Sequence, residues 1–295
     1  ADFFKKAQYG GAPVLSPDGK NIAVLTPRNG RYVLAIINLE SRQPKVIASD
    51  PDWDITRPTW VNNSRLVFSV TRGSNVVMED QDGGGLFAVN SDGSNFRKLV
   101  MTIKEARQGK SAYIPYGVVG TVGGDSNELI VINNQRGSDS ALGATDLFRM
   151  DTTNGRTKLL TFENPGKVGD WTVDHDNVVR VASSNIVDPD NKRIKQIVYY
   201  RDGEGKPWKE IYQAYHDEGN TMRPLGFDFD NKTLIVAGRF NGRDKEAVFI
   251  WDFAKNAAGE MLADHPQADV ENVRFDSSRK KIVGAPIAAM KPEYV

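Results

Sequence analysis

The feature that most constrains the fold of this chain is a strand-and-turn unit that recurs about every 50 residues. A polar turn followed by an aliphatic strand occurs six times, and these strands begin at Ile22, Leu66, Leu129, Val178, Leu234 and Ile282. The intervals between them are 44, 63, 49, 56 and 48 residues. A period of this length is typical of the four-stranded blades of a propeller rather than of helical repeats.

A second recurring signal has the same period. An aliphatic or aromatic strand runs into a polar hairpin five times, with the turns marked by Asn38, Asn90, Asp151, Asp202 and Asp252. The intervals are 52, 61, 51 and 50 residues. One such unit cannot bury both faces of its own sheet, so neighbouring units must stack. The two series therefore predict an all-β chain, a β-propeller of four-stranded antiparallel blades with five full blades and part of a sixth.

The first copy of the unit shows its local chemistry. Strands are predicted over Pro13 to Leu15, Ile22 to Leu25 and Tyr32 to Ile37, where β-branched and aliphatic residues are concentrated. A turn is predicted at Ser16-Pro17-Asp18-Gly19, because proline presets φ, aspartate bonds its own backbone and glycine accepts a positive φ. The only helical window in the chain is Ile103 to Gln108.

The inner and outer strands of each unit follow from the same turn signals. Inner strands are predicted at Pro13 to Leu15, Arg57 to Trp60, Tyr116 to Val119, Gly169 to Val173, Leu225 to Phe229 and Asn272 to Phe275. Outer strands are predicted at Lys45 to Ala48, Phe96 to Val100, Thr157 to Thr161, Trp208 to Tyr212 and Met261 to Ala263.

We interpret residues 1–295 as a single β-propeller domain, because no low-complexity linker divides the chain. The predicted blades span residues 12–50, 55–101, 111–162, 168–213, 222–264 and, for the partial sixth, 269–295. A β-sandwich with long loops and a two-domain β protein are the alternatives. A sandwich needs alternating strands and turns but no 50-residue period, so the propeller is preferred.

Composition narrows the classes of partner. The 38 basic residues balance the 38 acidic ones, so no overall positive field favours nucleic acid or an anionic membrane surface. No apolar run approaches the roughly 20 residues that a transmembrane helix requires. We predict no nucleic-acid partner and no membrane partner.

The absence of cysteine excludes disulfides, thiolate nucleophiles and cysteine-ligated zinc. The chain starts at Ala1 without an initiator methionine or a signal-like segment. We therefore expect an N-terminal segment to have been removed by processing or by the choice of fragment. We expect a periplasmic or secreted protein rather than a cytoplasmic one.

Candidate catalytic residues are few. The pentapeptide G-x-S-x-G, which holds the nucleophile of α/β-hydrolases, does not occur, and Ser138 and Ser140 lie in a polar insertion between strands. A catalytic base would have to be His175, His216 or His265. His175 occupies the recurrent inner hairpin turn, and the other two are expected as exposed loop residues between units. We assign no catalytic residue to this chain and predict that it is not itself an enzyme.

Metal and cofactor motifs are incomplete. The oxygen-rich segments Asp80-Gln81-Asp82-Gly83 and Asp188-Pro189-Asp190-Asn191 lack the glutamate that follows in an EF-hand loop. The glycine runs Gly83 to Gly85 and Gly117 to Gly120 lack the lysine and the spacing of phosphate-binding loops. We predict no metal site and no cofactor.

The tryptophans are spread over several units at or near strand positions, namely Trp53, Trp60, Trp171, Trp208 and Trp251. We interpret them as packing residues between blades or at the rim rather than as a ligand cage.

Several segments resemble a known family. Asp2-Phe3-Phe4, Ala12 to Lys20, Tyr32 to Leu39 and Trp60 to Leu66 look like the N-terminal β-propeller of the prolyl oligopeptidase family, and specifically of its bacterial members similar to acylaminoacyl peptidase and dipeptidyl aminopeptidase. The S-P-D-G-K turn alone is shared with TolB-like propellers. The opening segment is more specific, together with Ile282-Val283-Gly284 and Tyr294-Val295, which are also similar to this family.

The resemblance implies a seven-bladed propeller that caps a C-terminal α/β-hydrolase domain and restricts entry to short peptides. In that family the catalytic serine, aspartate and histidine belong to the hydrolase domain, so none can be transferred to this chain. The resemblance thus implies a non-catalytic gating domain of a serine peptidase, with the hydrolase domain as its partner and peptides as indirect partners. The alternative is a stand-alone TolB-like propeller that binds a protein.

An incomplete ring has a further implication. A propeller that ends within its sixth blade leaves strand edges unpaired, and unpaired edges favour pairing with another strand. We expect self-association through these edges, or a gap patched by the N-terminal segment.

Overall fold

The computed structural model describes residues 9–72, 83–109, 111–134, 143–287 and 293–294. The chain divides into two compact units. The first unit comprises Ala1–Asn134 and Leu147–Leu160, and the second comprises Gln135–Asp146 and Thr161–Val295.

The first unit contains the first two sheets and most of the third. Sheet 1 is formed by β1 (Val14–Leu15), β2 (Asn21–Arg28), β3 (Arg31–Asn38) and β4 (Pro44–Ala48). Sheet 2 is formed by β5 (Asp54–Asn62), β6 (Arg65–Thr71), β7 (Gly84–Asn90) and β8 (Arg97–Val100). Sheet 3 is formed by β9 (Gly117–Thr121), β10 (Glu128–Asn134), β11 (Thr145–Asp151) and β12 (Thr157–Leu159).

The second unit contains sheets 4 and 5 and the partial sixth. Sheet 4 is formed by β13 (Asp170–Val173), β14 (Val179–Val187), β15 (Ile194–Tyr200) and β16 (Lys209–Tyr215). Sheet 5 is formed by β17 (Arg223–Phe227), β18 (Leu234–Gly238), β19 (Ala247–Asp252) and β20 (Ala257–Ala263). The partial sixth consists of two short strand pairs. β21 (Arg274–Asp276) pairs with β22 (Lys281–Gly284), and β23 (Pro286–Ile287) pairs with β24 (Glu293–Tyr294).

Within the described residues, two short helices interrupt the strands. The predicted helical window is confirmed as α1 (Ile103–Gln108), which begins at a capping box between Thr102 and Glu105. A one-turn 3-10 helix, His216–Glu218, follows β16 and had no signal in the sequence.

Each four-stranded sheet is antiparallel and keeps its strands in chain order, as a meander does. The structure confirms the predicted fold class, an all-β propeller fold with five four-stranded sheets and a partial sixth. The division into blades within a single domain stays a prediction.

The second strands carry the core. All five residues of β18 are buried, as are the first six residues of β14. A strand buried on both faces reads as a continuous apolar run rather than as an alternating one. The outer strand β12 shows the opposite burial, since all of its residues are exposed.

Apolar clusters lie between neighbouring sheets of the same unit. In the first unit one cluster joins sheets 1 and 2 through Leu34 and Leu66. In the second unit another joins sheets 4 and 5 through Val198 and Phe249. Burying the contact face of each sheet against its neighbour therefore stabilises the stack at about 25 cal/mol per Å² of apolar area.

Polar turns also join neighbouring sheets. In the first unit the Asp18 backbone N–H donates to Asn63 Oδ1 at 2.9 Å. In the second unit the His175 N–H donates to Asn231 Oδ1 at 2.9 Å, and Asn231 Nδ2 donates to Asp176 Oδ2 at 2.8 Å. The turn that recurs in the sequence therefore links sheet 1 to sheet 2 and sheet 4 to sheet 5.

Candidate ligand-binding cavity

A cavity with several polar lining residues lies in the second unit, between sheets 4 and 5, with a volume of about 650 Å³. Its walls come from the end of β16, the β16–β17 connection, the β18–β19 loop and the β19–β20 hairpin. Because each wall belongs to a different element, no local sequence motif encodes the site.

One wall of the cavity is aromatic. Tyr212 packs edge-on against Phe240 and against Trp251, with ring centroids 5.6 Å apart in both pairs. Phe240 is held there by a close backbone approach, because a Cβ on Gly238 would lie 2.6 Å from its ring. Burial, and secondarily the charge of Glu218, raises the pKa of the Tyr212 hydroxyl above 10.0. The Tyr212 hydroxyl therefore remains neutral at physiological pH.

Two arginines of the β18–β19 loop line the cavity. Arg243 Nη2 donates to Asp264 Oδ2 at 2.7 Å, and Arg239 Nη2 lies 3.5 Å from Asp269 Oδ2. Each guanidinium is thus anchored at one nitrogen by a carboxylate from the segment that follows β20.

Four buried polar atoms of lining residues have no hydrogen-bond partner among the residues that the structure describes. They are the N–H groups at Arg239 Nε, Arg243 Nε and Trp251 Nε1, and the acceptor Asn220 Oδ1. Trp251 is 3% exposed. Buried polar groups are nearly always paired in folded proteins, so these four atoms are exceptions among the described residues.

A second cavity of about 550 Å³ lies between sheet 5 and the β21–β22 pair. Its walls are mainly aliphatic, including Ile235, Ile250 and Val273. None of the unpaired buried atoms belongs to its lining. Three charged residues, Asp228, Lys280 and Lys281, also belong to its lining.

The histidines singled out in the sequence occupy three separate places. His175 lies in the β13–β14 turn, where its ring stacks on Phe229 at a centroid distance of 4.0 Å. His216 lies in the 3-10 helix, with Nε2 2.8 Å from Asn185 Oδ1. His265, expected to be exposed, is half-buried because its Nδ1 accepts the backbone N–H of Ala268 at 3.0 Å. The structure brings no two of them together.

The other sequence candidates have structural roles or lie outside the described residues. Ser138, Ser140 and Asp80 to Asp82 lie outside them. Asp188 closes the β14–β15 turn and accepts the Tyr215 hydroxyl at 2.6 Å, a bond that lowers the pKa of its carboxyl.

The glycine runs also have structural roles. Gly85 has a φ of 68° and its N–H donates to the Tyr113 hydroxyl at 3.2 Å. Gly117 to Gly120 lie within β9.

The tryptophans lie in packed positions, and three of them also donate their indole N–H to a backbone carbonyl. Trp60 Nε1 donates to the Val14 carbonyl at 2.9 Å, Trp171 Nε1 to that of Thr145 at 3.0 Å, and Trp208 Nε1 to that of Glu163 at 2.8 Å. Trp53 is buried beneath Arg72. Only Trp251 has a buried indole N–H without a partner among the described residues, a property that no sequence pattern reports.

Two negative findings apply to the residues that the structure describes. No group of three or more histidine, aspartate or glutamate side chains is placed to hold a metal ion there. No helix in that part of the chain is long and apolar enough to cross a membrane.

Part of the chain matches a known protein family. Residues 1–109 match the family model described as the lipoprotein LpqB beta-propeller domain, which is less than half of the chain. Comparison with curated protein sequences gives no match.

Solved structures match nearly the whole chain. An oligogalacturonate lyase in complex with manganese has a TM-score of 0.58 at 14% identity, over 98% of this chain and 77% of that chain. The β-propeller domain of the Trilobed protease from Pyrococcus furiosus has a TM-score of 0.58 at 13% identity, over 97% and 80%. Acylaminoacyl peptidase from Pyrococcus horikoshii has a TM-score of 0.51 at 14% identity, over 96% and 42%. At these identities the similarities establish the fold, and this chain is a β-propeller domain.

Proposed function

We propose that this chain is the propeller domain of a serine peptidase of the prolyl oligopeptidase family. In this role it caps a hydrolase domain, admits short peptides and excludes large substrates. The chain contributes no catalytic residue, and the peptide bond is cleaved by the serine, aspartate and histidine of the hydrolase domain.

The observation that carries the proposal is the match to acylaminoacyl peptidase. It covers 96% of this chain but only 42% of that peptidase, so the peptidase contains a large portion beyond its propeller. The propeller of the Trilobed protease matches over a similar share of this chain, 97%. Two peptidases therefore carry a domain of this fold.

Gating by size requires the sheets to stay joined. In the second unit Asn231 links the turns of sheets 4 and 5 through two hydrogen bonds of 2.9 and 2.8 Å. Asn231 has a φ of 55°, so glycine can replace it without backbone strain while both bonds are lost. Asn231→Gly is therefore a mild way to loosen the junction.

The test uses the product of the complete reading frame. We expect that frame to encode a hydrolase domain with G-x-S-x-G after Val295, and we expect the enzyme to cleave a short chromogenic aminoacyl substrate far better than the same bond within a long peptide. Asn231→Gly should raise kcat/KM for the long peptide relative to the short one.

The matched control is Asn29→Gly, which makes the same substitution at a positive φ of 50° in the β2–β3 hairpin. It should leave the ratio of the two kcat/KM values unchanged. Equal cleavage of short and long peptides by the unmodified enzyme would contradict gating. Reproducible hydrolysis by the pure 295-residue chain would contradict its non-catalytic role.

A second candidate is a propeller that binds a protein partner without a hydrolase domain. The match of residues 1–109 to the lipoprotein LpqB propeller model favours it, because that description names no peptidase. A stop codon directly after Val295 would support this candidate and exclude the peptidase.

A further inference from the structure

We propose that the open edge of β14 pairs with the same edge of a second copy of this chain. The two copies of sheet 4 then join as one antiparallel sheet across a two-fold axis at Ile186. The proposal is independent of whether a hydrolase domain follows. It assigns self-association to a complete sheet rather than to the partial sixth, where the sequence predicts it.

The open edge arises because β14 is longer than the inner strand beside it. The pairing with β13 reaches only to Asp170 opposite Ser183, and the Gly169 N–H donates to the Ser183 carbonyl at 2.9 Å. The Val168 carbonyl accepts the Thr145 N–H at 2.8 Å, so the chain before Gly169 does not follow β14 further. Residues 184–187 of β14 therefore have no strand on this side within the described part of the chain.

Two residues of this edge point their backbone groups to the open side. Alternate residues of an antiparallel strand bond to a given neighbour. The Asp188 N–H donates to the Arg193 carbonyl at 2.9 Å, so the even-numbered positions of β14 face β15, whereas the Ser183 carbonyl faces β13. Asn185 and Val187 therefore face outwards, and among the described residues no backbone hydrogen bond reaches them from that side.

The same edge of a second copy is complementary to this pattern. An antiparallel partner satisfies the groups when it offers two outward-facing residues with one residue between them. With the axis at Ile186, Asn185 lies opposite Val187 of the second copy, and Val187 lies opposite Asn185 of the second copy. Each of these pairs exchanges two N–H···O bonds, so every outward N–H and C=O group of both edges is paired. A two-fold interface of this kind brings one surface of each copy together.

The length of β14 also fits such a pairing. The strand ends at Val187, and Asp188 begins the turn to β15. In the joined sheet Asp188 of one copy lies opposite Ser184 of the other, one position before Ser183. The turn therefore directs the incoming chain away before it meets the Gly169 segment that bonds Ser183.

The hairpin of β14 and β15 is ordered before it pairs. Residues 181–187 lie opposite 194–200 in seven consecutive pairs without a register shift. The hairpin is fixed to the end of β16 and to the 3-10 helix by Arg193, whose guanidinium lies 3.9 Å from the centre of the Tyr215 ring and donates to Asp217 Oδ1 at 2.6 Å. Little further ordering is needed on association, which lowers its entropic cost.

The end of the hairpin also exposes apolar surface. Val187 and Ile194 lie opposite each other and are 51% and 41% exposed. An open strand edge that carries exposed β-branched residues is a template for pairing with another strand. The second copy would cover the edge beside Val187.

The first test introduces a single thiol, which reports one contact because the chain has no cysteine. In the joined sheet the two copies of position 186 form a non-hydrogen-bonded pair with Cα atoms about 4.5 Å apart, a distance that permits a disulfide. Ile186→Cys should therefore give disulfide-linked dimers under a mild oxidant, as seen by non-reducing electrophoresis.

The matched control is Ile194→Cys, at an exposed position of the same hairpin. In the joined sheet its two copies are separated by three strand spacings, at least about 14 Å, which is too far for a disulfide. Ile194→Cys should stay monomeric under the same oxidant. Equal cross-linking of the two variants, or none in Ile186→Cys, overturns the proposal.

The second test is sedimentation equilibrium of the 295-residue chain at micromolar to submillimolar concentration. Val187→Pro removes one outward N–H and leaves the bonds to β15 in place, because an edge strand tolerates proline where its N–H faces solvent. It should weaken dimerisation at least tenfold, whereas Val187→Ala keeps the N–H and should still dimerise. A strictly monomeric unmodified chain, or dimerisation that is unchanged in Val187→Pro, refutes the assignment.

Discussion

Replacing Arg180 with methionine tests how strongly a buried charge joins sheets 4 and 5. Arg180 Nη1 donates to Asp174 Oδ2 at 2.9 Å and to the Asn231 carbonyl at 3.1 Å. Nη2 donates to the Tyr200 hydroxyl and Nε to the Arg201 carbonyl, both at 2.8 Å. One guanidinium thus binds acceptors in sheet 4, in its turns and in the turn of sheet 5.

The magnitude follows from what the substitution leaves behind. The side chains of Arg180 and Asp174 are 8% and 3% exposed, so the orphaned carboxylate has little access to water. Its other oxygen keeps the N–H bonds of Asp176 and Val178 at 3.0 and 2.9 Å, which limits the loss. Removing one partner of a buried pair costs about 3–5 kcal/mol, against a total stability of about 5–15 kcal/mol.

The assay is urea unfolding followed by circular dichroism, with the unfolding free energy extrapolated to water. The double variant Arg180→Met/Asp174→Asn should recover part of the loss, because no buried charge remains unpaired. Arg193→Gln is the control, since its ion pairs with Asp217 and Glu218 are exposed and should leave the midpoint nearly unchanged. A loss below about 1 kcal/mol in Arg180→Met, or no recovery in the double variant, would refute the reasoning.

Three other perturbations have defined outcomes. Gly238→Ala should destabilise by about 1–3 kcal/mol because its Cβ would lie 2.6 Å from Phe240, whereas Gly120→Ala, with no atom within 4 Å, should be neutral or stabilising in the same urea assay. Thr102→Ala removes the side chain that caps α1 and should cost about 0.5–2 kcal/mol by thermal unfolding. Burial raises the pKa of Asp151, but hydrogen bonds from the following turn residues outweigh it and hold the pKa below 3.8. The stabilising effect of the ionised Asp151 carboxylate should therefore be complete above pH 3.8 and be lost as the pH falls below it. Asp151→Asn should flatten this pH dependence of the unfolding free energy in urea titrations at decreasing pH.

The turns were predictable because their chemistry is local. Gly19 has a φ of 72°, as the S-P-D-G pattern requires. Ser16 Oγ donates to Asp18 Oδ1 at 2.6 Å and accepts the Asn21 N–H at 3.0 Å. The residues that punctuate the sequence are therefore the ones that close the hairpins, and Ser16 has a structural role there.

The outer strands were predicted less completely. β16 extends to Tyr215 and β20 begins at Ala257, whereas the sequence signals covered only Trp208 to Tyr212 and Met261 to Ala263. Five of the seven residues of β20 are exposed, and its pairing with β19 contains two register shifts. A strand of this kind has no apolar alternation for a pattern to detect.

The cavity was not predictable, because it depends on which bonds are absent. From the sequence alone, Arg239 and Arg243 resemble ordinary charged loop residues, and Trp251 resembles a core residue. Their significance appears only when the carboxylates of Asp264 and Asp269 have been placed and one N–H of each side chain is left over.

The junctions between sheets explain why the repeat is visible as spacing but not as a repeated motif. Arg65 begins β6 and Arg180 lies at the second position of β14, and both are buried. Arg65 Nε donates to Thr152 Oγ1 at 2.8 Å in the turn of sheet 3, while Arg180 reaches Asn231 in the turn of sheet 5. Both arginines lie near the start of the second strand of their sheet and bond the turn of a neighbouring sheet, but the acceptor groups differ.

This arrangement makes each of the two junctions specific as well as strong. Arg65 is 2% exposed, and this burial lowers the pKa of its guanidinium. If the neighbouring turn were displaced, that guanidinium would remain buried and lose the Thr152 Oγ1 and Thr152 carbonyl acceptors, which is costly for a buried charge. Apolar packing alone tolerates small slips between sheets, because hydrophobic contact has no direction. Buried arginines near the start of the second strand therefore select one register at each of these two junctions.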